Sequence, residues 1–247
     1  MKKLMQWSIA FTVIAGCACA QNLTNSPAFE VATIKPGVPD STGKIIRPNH
    51  RNFSTLNTTL VDLITYAYGL HPKQITGGPG WIETDKYDLA GIPDQIGTPS
   101  PAEVKVMVQG LLAERFGLEF HRERKELNVF VLTVAKTGAK LTSSEGSGNT
   151  SLLLRALGKL VVKNATMADF AGVMQANALD RPVLDRTELS GKFDFTLEWL
   201  PDETHPDEND SRPTLFAAIQ QLGLKIEAVR AVVDVFVIDH VGRPSDN

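Results

Sequence analysis

The sequence has very little cysteine: the only two, Cys17 and Cys19, lie within its first twenty residues. From residue 21 onward the chain therefore offers no thiol for a disulfide, a thiolate metal ligand or a cysteine nucleophile. With 247 residues, of which 43% are hydrophobic, it is large enough to be held by an apolar core alone.

An excess of positive charge is also missing, because the net charge is −3 at pH 7. Nucleic-acid-binding proteins present a basic face to the phosphates, so we do not expect a nucleic-acid partner. The densest basic stretch, residues 121–126, is interleaved with acids, which indicates a solvated strand or turn. After residue 20 no apolar run reaches the roughly 20 residues that a membrane-spanning helix needs.

Signatures of catalysis and metal binding are missing as well. The five histidines show no H-E-x-x-H or other tight metal-ligand spacing, and there is no G-x-S-x-G or Walker motif. Asp239 and His240 are neighbours on a predicted strand, so they point to opposite faces and cannot readily form a dyad. The sequence thus predicts no catalytic residue, no metal and no cofactor, and it favours a protein that is not an enzyme.

The first twenty residues have the pattern of an export signal. Lys2 and Lys3 precede a short apolar stretch, and residues 18–20 form an A-x-A cleavage site. A second interpretation stays open, because residues 14–17 resemble a lipoprotein box in which Cys17 would be lipidated. Both interpretations predict an exported protein, periplasmic or extracellular, that meets the membrane only through its signal or a lipid anchor.

The rest of the chain repeats itself at an offset of 107 or 106 residues (164 − 57 and 192 − 86). Four blocks recur in the same order: 57–63 as 164–170, 86–89 as 192–195, 117–120 as 223–226 and 129–132 as 235–238. Such self-similarity predicts a tandem duplication. The predicted boundaries are a signal over 1–20, a first copy with an extra N-terminal strand over 21–136, a linker over 137–150 and a second copy over 151–247.

Each copy has the pattern of an α+β unit in the order strand, helix, strand, helix, hairpin. In the first copy, Asn57 or Thr58 can cap a helix that ends at Gly69, and Pro101 opens a second helix. We expect each copy to form a small antiparallel or mixed sheet with helices on one face.

The last element of each copy is predicted to be a hairpin. The segments concerned are 118–122 with 129–135 in the first copy, and 224–228 with 232–240 in the second. The extra strand at residues 29–35 is expected to pair either with the first sheet or with the C-terminal strand.

One glycine-rich turn is the candidate ligand contact, formed by Gly77, Gly78, Pro79, Gly80 and Trp81. It lacks the spacing and the following helix that a phosphate cradle needs. We therefore interpret it as a turn in which Trp81 covers a sheet edge or offers a ligand contact.

Two sets of carboxylates are interpreted as scaffold and solvent-facing residues. The acidic stretch 202–210 lacks the D-x-D-x-D-G pattern of a calcium loop and is predicted to be a solvated loop. The carboxylates that recur in both copies are predicted to be structural: Asp62 with Asp169, and Asp88 with Asp194.

Several blocks together carry a resemblance to a known family: Phe29–Pro36, 77–81, 111–116, 194–199, 237–241 and 243–245. The chain resembles the uncharacterised soil-associated secreted proteins that are abundant in acidobacteria, over essentially all of its length after the signal. That resemblance implies an exported protein without an established activity. Similar domains behind membrane metallopeptidases of the β-lactam-sensor type suggest a sensing or binding role.

The predicted function is accordingly a non-enzymatic binding or sensing module of the envelope or secreted space. Its partner would be an envelope or extracellular protein, a peptide or a small ligand, bound at a strand edge or between the copies. The alternative is a hydrolase whose Asp, Glu and His residues come together only between the two copies.

Overall fold

The computed structural model describes residues 26–38, 41, 43–48, 52–146, 148–156, 158–201 and 211–244. The predicted export signal with Cys17 and the acidic stretch 202–210 lie outside the described residues. Within the described ranges no helix is long and apolar enough to cross a membrane. Helices and three four-stranded sheets occur together there, which confirms the predicted α+β class.

The described residues form twelve strands and five helices. The strands are β1 Phe29–Pro36, β2 Ile45–Pro48, β3 Phe53–Thr59, β4 Ile75–Gly77, β5 Lys86–Pro93, β6 Glu119–Val134, β7 Thr142–Ser143, β8 Ser151–Ala156, β9 Lys159–Ala165, β10 Val183–Asp185, β11 Phe193–Glu198 and β12 Leu224–His240. The helices are α1 Leu60–Tyr68, α2 Trp81–Thr84, α3 Pro101–Phe116, α4 Met167–Asn177 and α5 Leu215–Gln221, and a 3₁₀ turn covers Pro72–Gln74.

Two of the sheets have the same arrangement, one in each half of the chain. Their strand orders are β1-β5-β3-β2 and β7-β11-β9-β8. Lys35 of β1 lies opposite Asp88, and Thr142 of β7 lies opposite Asp194, which are pairs at corresponding positions. The N-terminal strand therefore pairs with the first sheet, and the segment predicted to be a linker contains a strand of the second half.

The third sheet is built around two long strands that pair with each other. β6 has 16 residues and β12 has 17, and they are antiparallel from Leu224 opposite Val134 to Ile238 opposite Phe120. The two predicted hairpins are therefore wrong, because each is a single strand whose partner is the other one. The charged residues 121–126 are as well solvated on an exposed strand as in a turn, so their polarity did not mark a reversal of the chain.

The two halves of the chain exchange short strands across this central sheet. β4 of the first half lies parallel to β12, with Ile75 opposite Phe236. β10 of the second half lies parallel to β6, with Val183 opposite Phe130. The resulting order is β10-β6-β12-β4, so the halves share one sheet instead of standing apart as separate domains.

The helices cover this framework as the apolar pattern predicts. Six apolar residues of α3 lie at helical spacing and are buried: Val104, Met107, Val108, Leu111, Leu112 and Phe116. Gly69 ends α1 with a left-handed backbone, as predicted. The N-cap of α1 is Thr59, however, and not Asn57 or Thr58. Asn57 instead adopts a φ of 51°, a conformation that Asn tolerates better than most residues.

The recurring Asn and Asp residues hold the corner that leads from a strand into the first helix of each half. The backbone N–H of Asn57 donates to Asp88 Oδ1 at 2.8 Å, and that of Asn164 donates to Asp194 Oδ1 at the same distance. Asn164 also has a φ of 51°. These contacts confirm a structural role for Asp88 and Asp194.

The other recurring pair of carboxylates caps helices. Asp62 accepts from the backbone N–H of Thr59 at 3.0 Å, and Asp169 accepts from that of Thr166 at 3.0 Å. Each threonine hydroxyl accepts in return from the aspartate N–H, so two otherwise unpaired helix donors are satisfied. Asp62 and Asp169 are therefore structural as well.

Candidate functional site

The glycine-rich turn that sequence analysis proposed as a ligand contact joins β4 to β5. Gly77 and Gly78 have φ angles of 79° and 78°, and a Cβ on Gly77 would lie 3.0 Å from the carbonyl oxygen of Ile238. A one-turn helix, α2, does follow the turn, contrary to expectation, because Ile82 anchors it in the core. The guanidinium of Arg243 lies 5.1 Å from the centre of the Trp81 ring. This corner has a clear structural role, and ligand contact by Trp81 stays a prediction.

A histidine and two carboxylates from both halves meet on the central sheet. Nδ1 of His121 lies 2.8 Å from Asp239 Oδ1, and Nε2 lies 3.2 Å from Glu123 Oε1. Hydrogen bonding to Glu123, and then to Asp239, raises the pKa of His121 above its usual value. All three side chains are about half exposed on an open strand surface. Among the described residues no group of His, Cys, Asp and Glu has the geometry of a metal site.

Sequence analysis missed this cluster because His121 and Asp239 are 118 residues apart in the chain. They meet only because β6 pairs with β12, and the sequence predicted two separate hairpins. The sequence places Asp239 next to His240, and local spacing gives no sign of its contact with His121.

The even-numbered residues of the two long strands direct their backbone groups away from the β6–β12 ladder. In β12, the carbonyl of Asp234 accepts from Gln74 Nε2 at 3.0 Å, and that of Phe236 accepts from Thr76 Oγ1 at 3.4 Å. In β6, the N–H of Phe130 donates to the carbonyl of Pro182 at 2.8 Å. This alternation is that of an antiparallel pair, in which every second residue faces outward.

The short strands cover these outward groups at one end only. β4 pairs with residues 236–238 of β12, and β10 pairs with residues 130–132 of β6. In the described part of the chain no strand lies beside the remainder of either outer edge. By the same alternation, the outward-facing residues without a strand beside them include Ile226, Ala228, Arg230 and Val232 in β12, and Arg122, Arg124 and Glu126 in β6.

The two uncovered edges differ in charge. Residues 121–126 of β6 are all ionisable. The residues that correspond to them in the second half, at the offset of 106, are 227–232 of β12, and these include only two ionisable residues, Glu227 and Arg230. Val229 and Val232 are 39% and 51% exposed. Charged side chains are a common means of keeping an exposed strand from pairing with another chain. By this criterion the β6 edge is protected and the β12 edge is open.

A groove of about 620 Å³ lies at the first residues of β12. The strand contributes Leu224, Lys225 and Ile226, and α5 with its cap contributes Thr214, Phe216, Ala217 and Gln220. Residues 135–137, which follow β6, complete the lining. The lining contains two lysines, Lys136 and Lys225, and no carboxylate. The sequence did not predict the groove. The groove forms because α5 packs beside the first residues of β12, and the sequence predicted a hairpin in place of this long strand.

These observations define the class: an α+β protein whose halves share a central sheet, with an uncovered edge along β12 and a lysine-containing groove at the start of that strand. The family model described as "Protein of unknown function (DUF3738)" matches residues 61–241, and the chain belongs to that family. No curated protein and no solved structure shows significant similarity to the chain. The likeness to soil-associated secreted proteins remains a resemblance.

Proposed function

We propose that this protein is an exported binding module that takes up an extended segment of a partner as an additional strand along β12. The observation that carries the proposal is the uncovered edge at residues 226–232. Its outward N–H and C=O groups have no strand partner in the described part of the chain. Addition of a strand to an exposed sheet edge is a recurring mode of peptide recognition.

The energetics require side-chain contacts in addition to the backbone. A backbone hydrogen bond contributes about 0.5–1.5 kcal/mol net, and ordering a flexible peptide opposes binding by a similar amount per residue. Val229 and Val232 offer exposed apolar surface beside the edge. The groove at residues 224–226 offers a further contact at one end. We therefore expect specificity to come from these side chains and register to come from the backbone.

The predicted export signal supports a location in the envelope or secreted space. The matching sheet orders and registers support the further inference that the two halves are copies of one unit. For the alternative, a hydrolase acting between the halves, the cluster of His121, Glu123 and Asp239 is a candidate site. That cluster is exposed and lies outside the groove, so binding is the better-supported function.

An array of octapeptides composed of Val, Ile, Thr, Ser and Leu, probed with the purified protein, tests the proposal. The best-binding sequence is then titrated in solution by fluorescence anisotropy. Ala228→Pro is the informative variant, because proline removes an outward N–H and blocks the edge without removing a donor to β6. We expect at least tenfold weaker binding. The matched control is Arg122→Pro at the corresponding outward position of β6, which we expect to leave binding unchanged.

Thermal melts of both variants would confirm that they fold. The proposal would be contradicted if no octapeptide bound, or if Ala228→Pro and Arg122→Pro changed binding equally. Leu153→Glu provides a second control, because Leu153 is half exposed on β8, another outer strand. Loss of binding in this variant alone would also overturn the assignment of the site to β12.

A further inference from the structure

We infer that the groove at the start of β12 binds the free C-terminal carboxylate of the added strand, with the last side chain of that strand packed against Phe216. The inference rests on the proposed function and specifies its ligand as the extended C-terminal end of a peptide or protein.

The direction of the added strand follows from where the groove lies. The groove contains Leu224, Lys225 and Ile226, which are the first residues of β12. A segment that runs antiparallel to β12 ends beside these residues, whereas a parallel segment begins there. A parallel segment would bring a positively charged amino terminus close to Lys136, so the charge of the groove favours the antiparallel direction.

The charge of the groove suits a carboxylate. Lys136 has no ion-pair partner among the described residues and supplies a positive charge to the groove, whereas Lys225 Nζ lies 2.6 Å from Glu227 Oε1 and is already paired. The side chains of Thr137, Thr214 and Gln220 can donate hydrogen bonds to the same oxygens. Hydrogen bonds to a charged acceptor are stronger than those between neutral groups, so a free terminus gains more here than a neutral amide.

The apolar part of the groove suits the last side chain. Phe216 is 48% exposed although it belongs to a helix that packs on the central sheet. Its ring lies 5.8 Å from that of Phe130 in an edge-on arrangement, which holds it against the sheet. A half-exposed aromatic ring that lines the same groove as the first residues of β12 is a suitable anchor for one apolar residue.

The test uses the octapeptide array synthesised twice, once with free C-terminal carboxylates and once with carboxamides. For the best sequence we expect the carboxylate form to bind at least tenfold more tightly, with the difference shrinking as salt is raised. Lys136→Gln should weaken the carboxylate form to the level of the carboxamide and leave the carboxamide unchanged. The matched control is Lys140→Gln, because Lys140 is exposed nearby but does not line the groove.

The outcomes separate the two levels of the hypothesis. If both peptide forms bind equally, or if Lys140→Gln acts like Lys136→Gln, the terminal carboxylate is not recognised and only this inference fails. If neither form binds, strand addition itself fails. A Phe216→Ala variant that still binds peptides ending in Leu and Ser with the wild-type preference would contradict the assignment of the last side chain.

Discussion

The free edges of β6 and β12 lie on opposite sides of one sheet, and their charges differ sharply. Along β6, residues 121–126 are ionisable without interruption, and they pair locally, as Lys125 Nζ and Glu123 Oε2 do at 2.9 Å. Along β12, Ala228, Val229, Ala231 and Val232 replace four of the corresponding charges. An incoming strand would have to bury charges on β6 but apolar side chains on β12. Equivalent positions in one fold can therefore carry a protected edge and an available one.

The strand-to-helix corners of the two halves show the opposite behaviour, because they have kept the same residues. Asn57 and Asn164 share a φ of 51°, and each donates its N–H to an aspartate. A left-handed backbone limits which residues fit, whereas a solvent-exposed edge imposes few such limits. Residues that the backbone requires are thus the same in both halves, and residues on the outer edge differ.

The largest expected effect is on stability, and it tests whether the strand-to-helix corners at Asn57 and Asn164 are equivalent. Asn57→Ala and Asn164→Ala should each lower the free energy of unfolding by about 3 kcal/mol, from backbone strain and lost side-chain hydrogen bonds. Urea denaturation measures both. Asn57→Gly should lower the free energy of unfolding by less, because glycine adopts this backbone conformation without strain and only the side-chain hydrogen bonds of Asn57 are lost. If the two alanine variants lowered the free energy of unfolding by very different amounts, the two corners would not be equivalent.

The next effect concerns the β12 edge directly. A triple variant that copies β6, with Val229→Glu, Ala231→Lys and Val232→Glu, should weaken binding of the best octapeptide by at least about tenfold because charge now lines the edge. Fluorescence anisotropy measures the change. Unchanged binding would mean that charge is not what distinguishes the two edges.

The reciprocal exchange should have a smaller effect of the opposite sign. Glu123→Val, Lys125→Ala and Glu126→Val give β6 the apolar pattern of β12, so its edge should begin to pair with other chains. Sedimentation velocity should then show self-association that increases with concentration, while octapeptide binding at β12 persists. The wild-type protein is the control. A variant that stays as monomeric as the wild type at every concentration would contradict the protective role of these charges.

The smallest effect is a pH dependence on the β6 side. Glu123 and Asp239 raise the pKa of His121, so its protonated form stabilises the fold fully below the unfolded-state pKa of about 6.5. This contribution is lost as the pH rises through the higher folded-state pKa. His121→Gln should therefore be less stable than the wild type at pH 5.5, with the difference fading at alkaline pH. Urea denaturation at several pH values measures this. If the stability difference between His121→Gln and the wild type did not change with pH, the proposed contribution of the His121 cluster would be contradicted.

Local elements of the fold were predictable from the sequence, and pairings between distant segments were not. The buried face of α3 and the end of α1 at Gly69 follow from local spacing and backbone preference. Asn57 was mistaken for an N-cap because the side chains that favour caps also tolerate a left-handed backbone. Thr59, two residues later, takes the cap.

The candidate site was missed for a related reason. Periodicity shows that residues 224–240 favour a strand, but it does not identify the partner of that strand. A hairpin would have paired residues 224–228 with residues 232–240 and left a different edge exposed. Only the long pairing between β6 and β12, with the exchanged strands β4 and β10, leaves residues 226–232 uncovered.

Amide hydrogen exchange, read residue by residue with and without the best-binding octapeptide, tests strand addition along β12 most directly. In the free protein the outward amides of residues 226, 228, 230 and 232 should exchange fast, and the alternate amides that face β6 should exchange slowly. Peptide should slow the outward amides at least tenfold and leave those of residues 122, 124 and 126 unchanged. Slowing at β6, or no slowing along β12 at saturating peptide, would contradict the account.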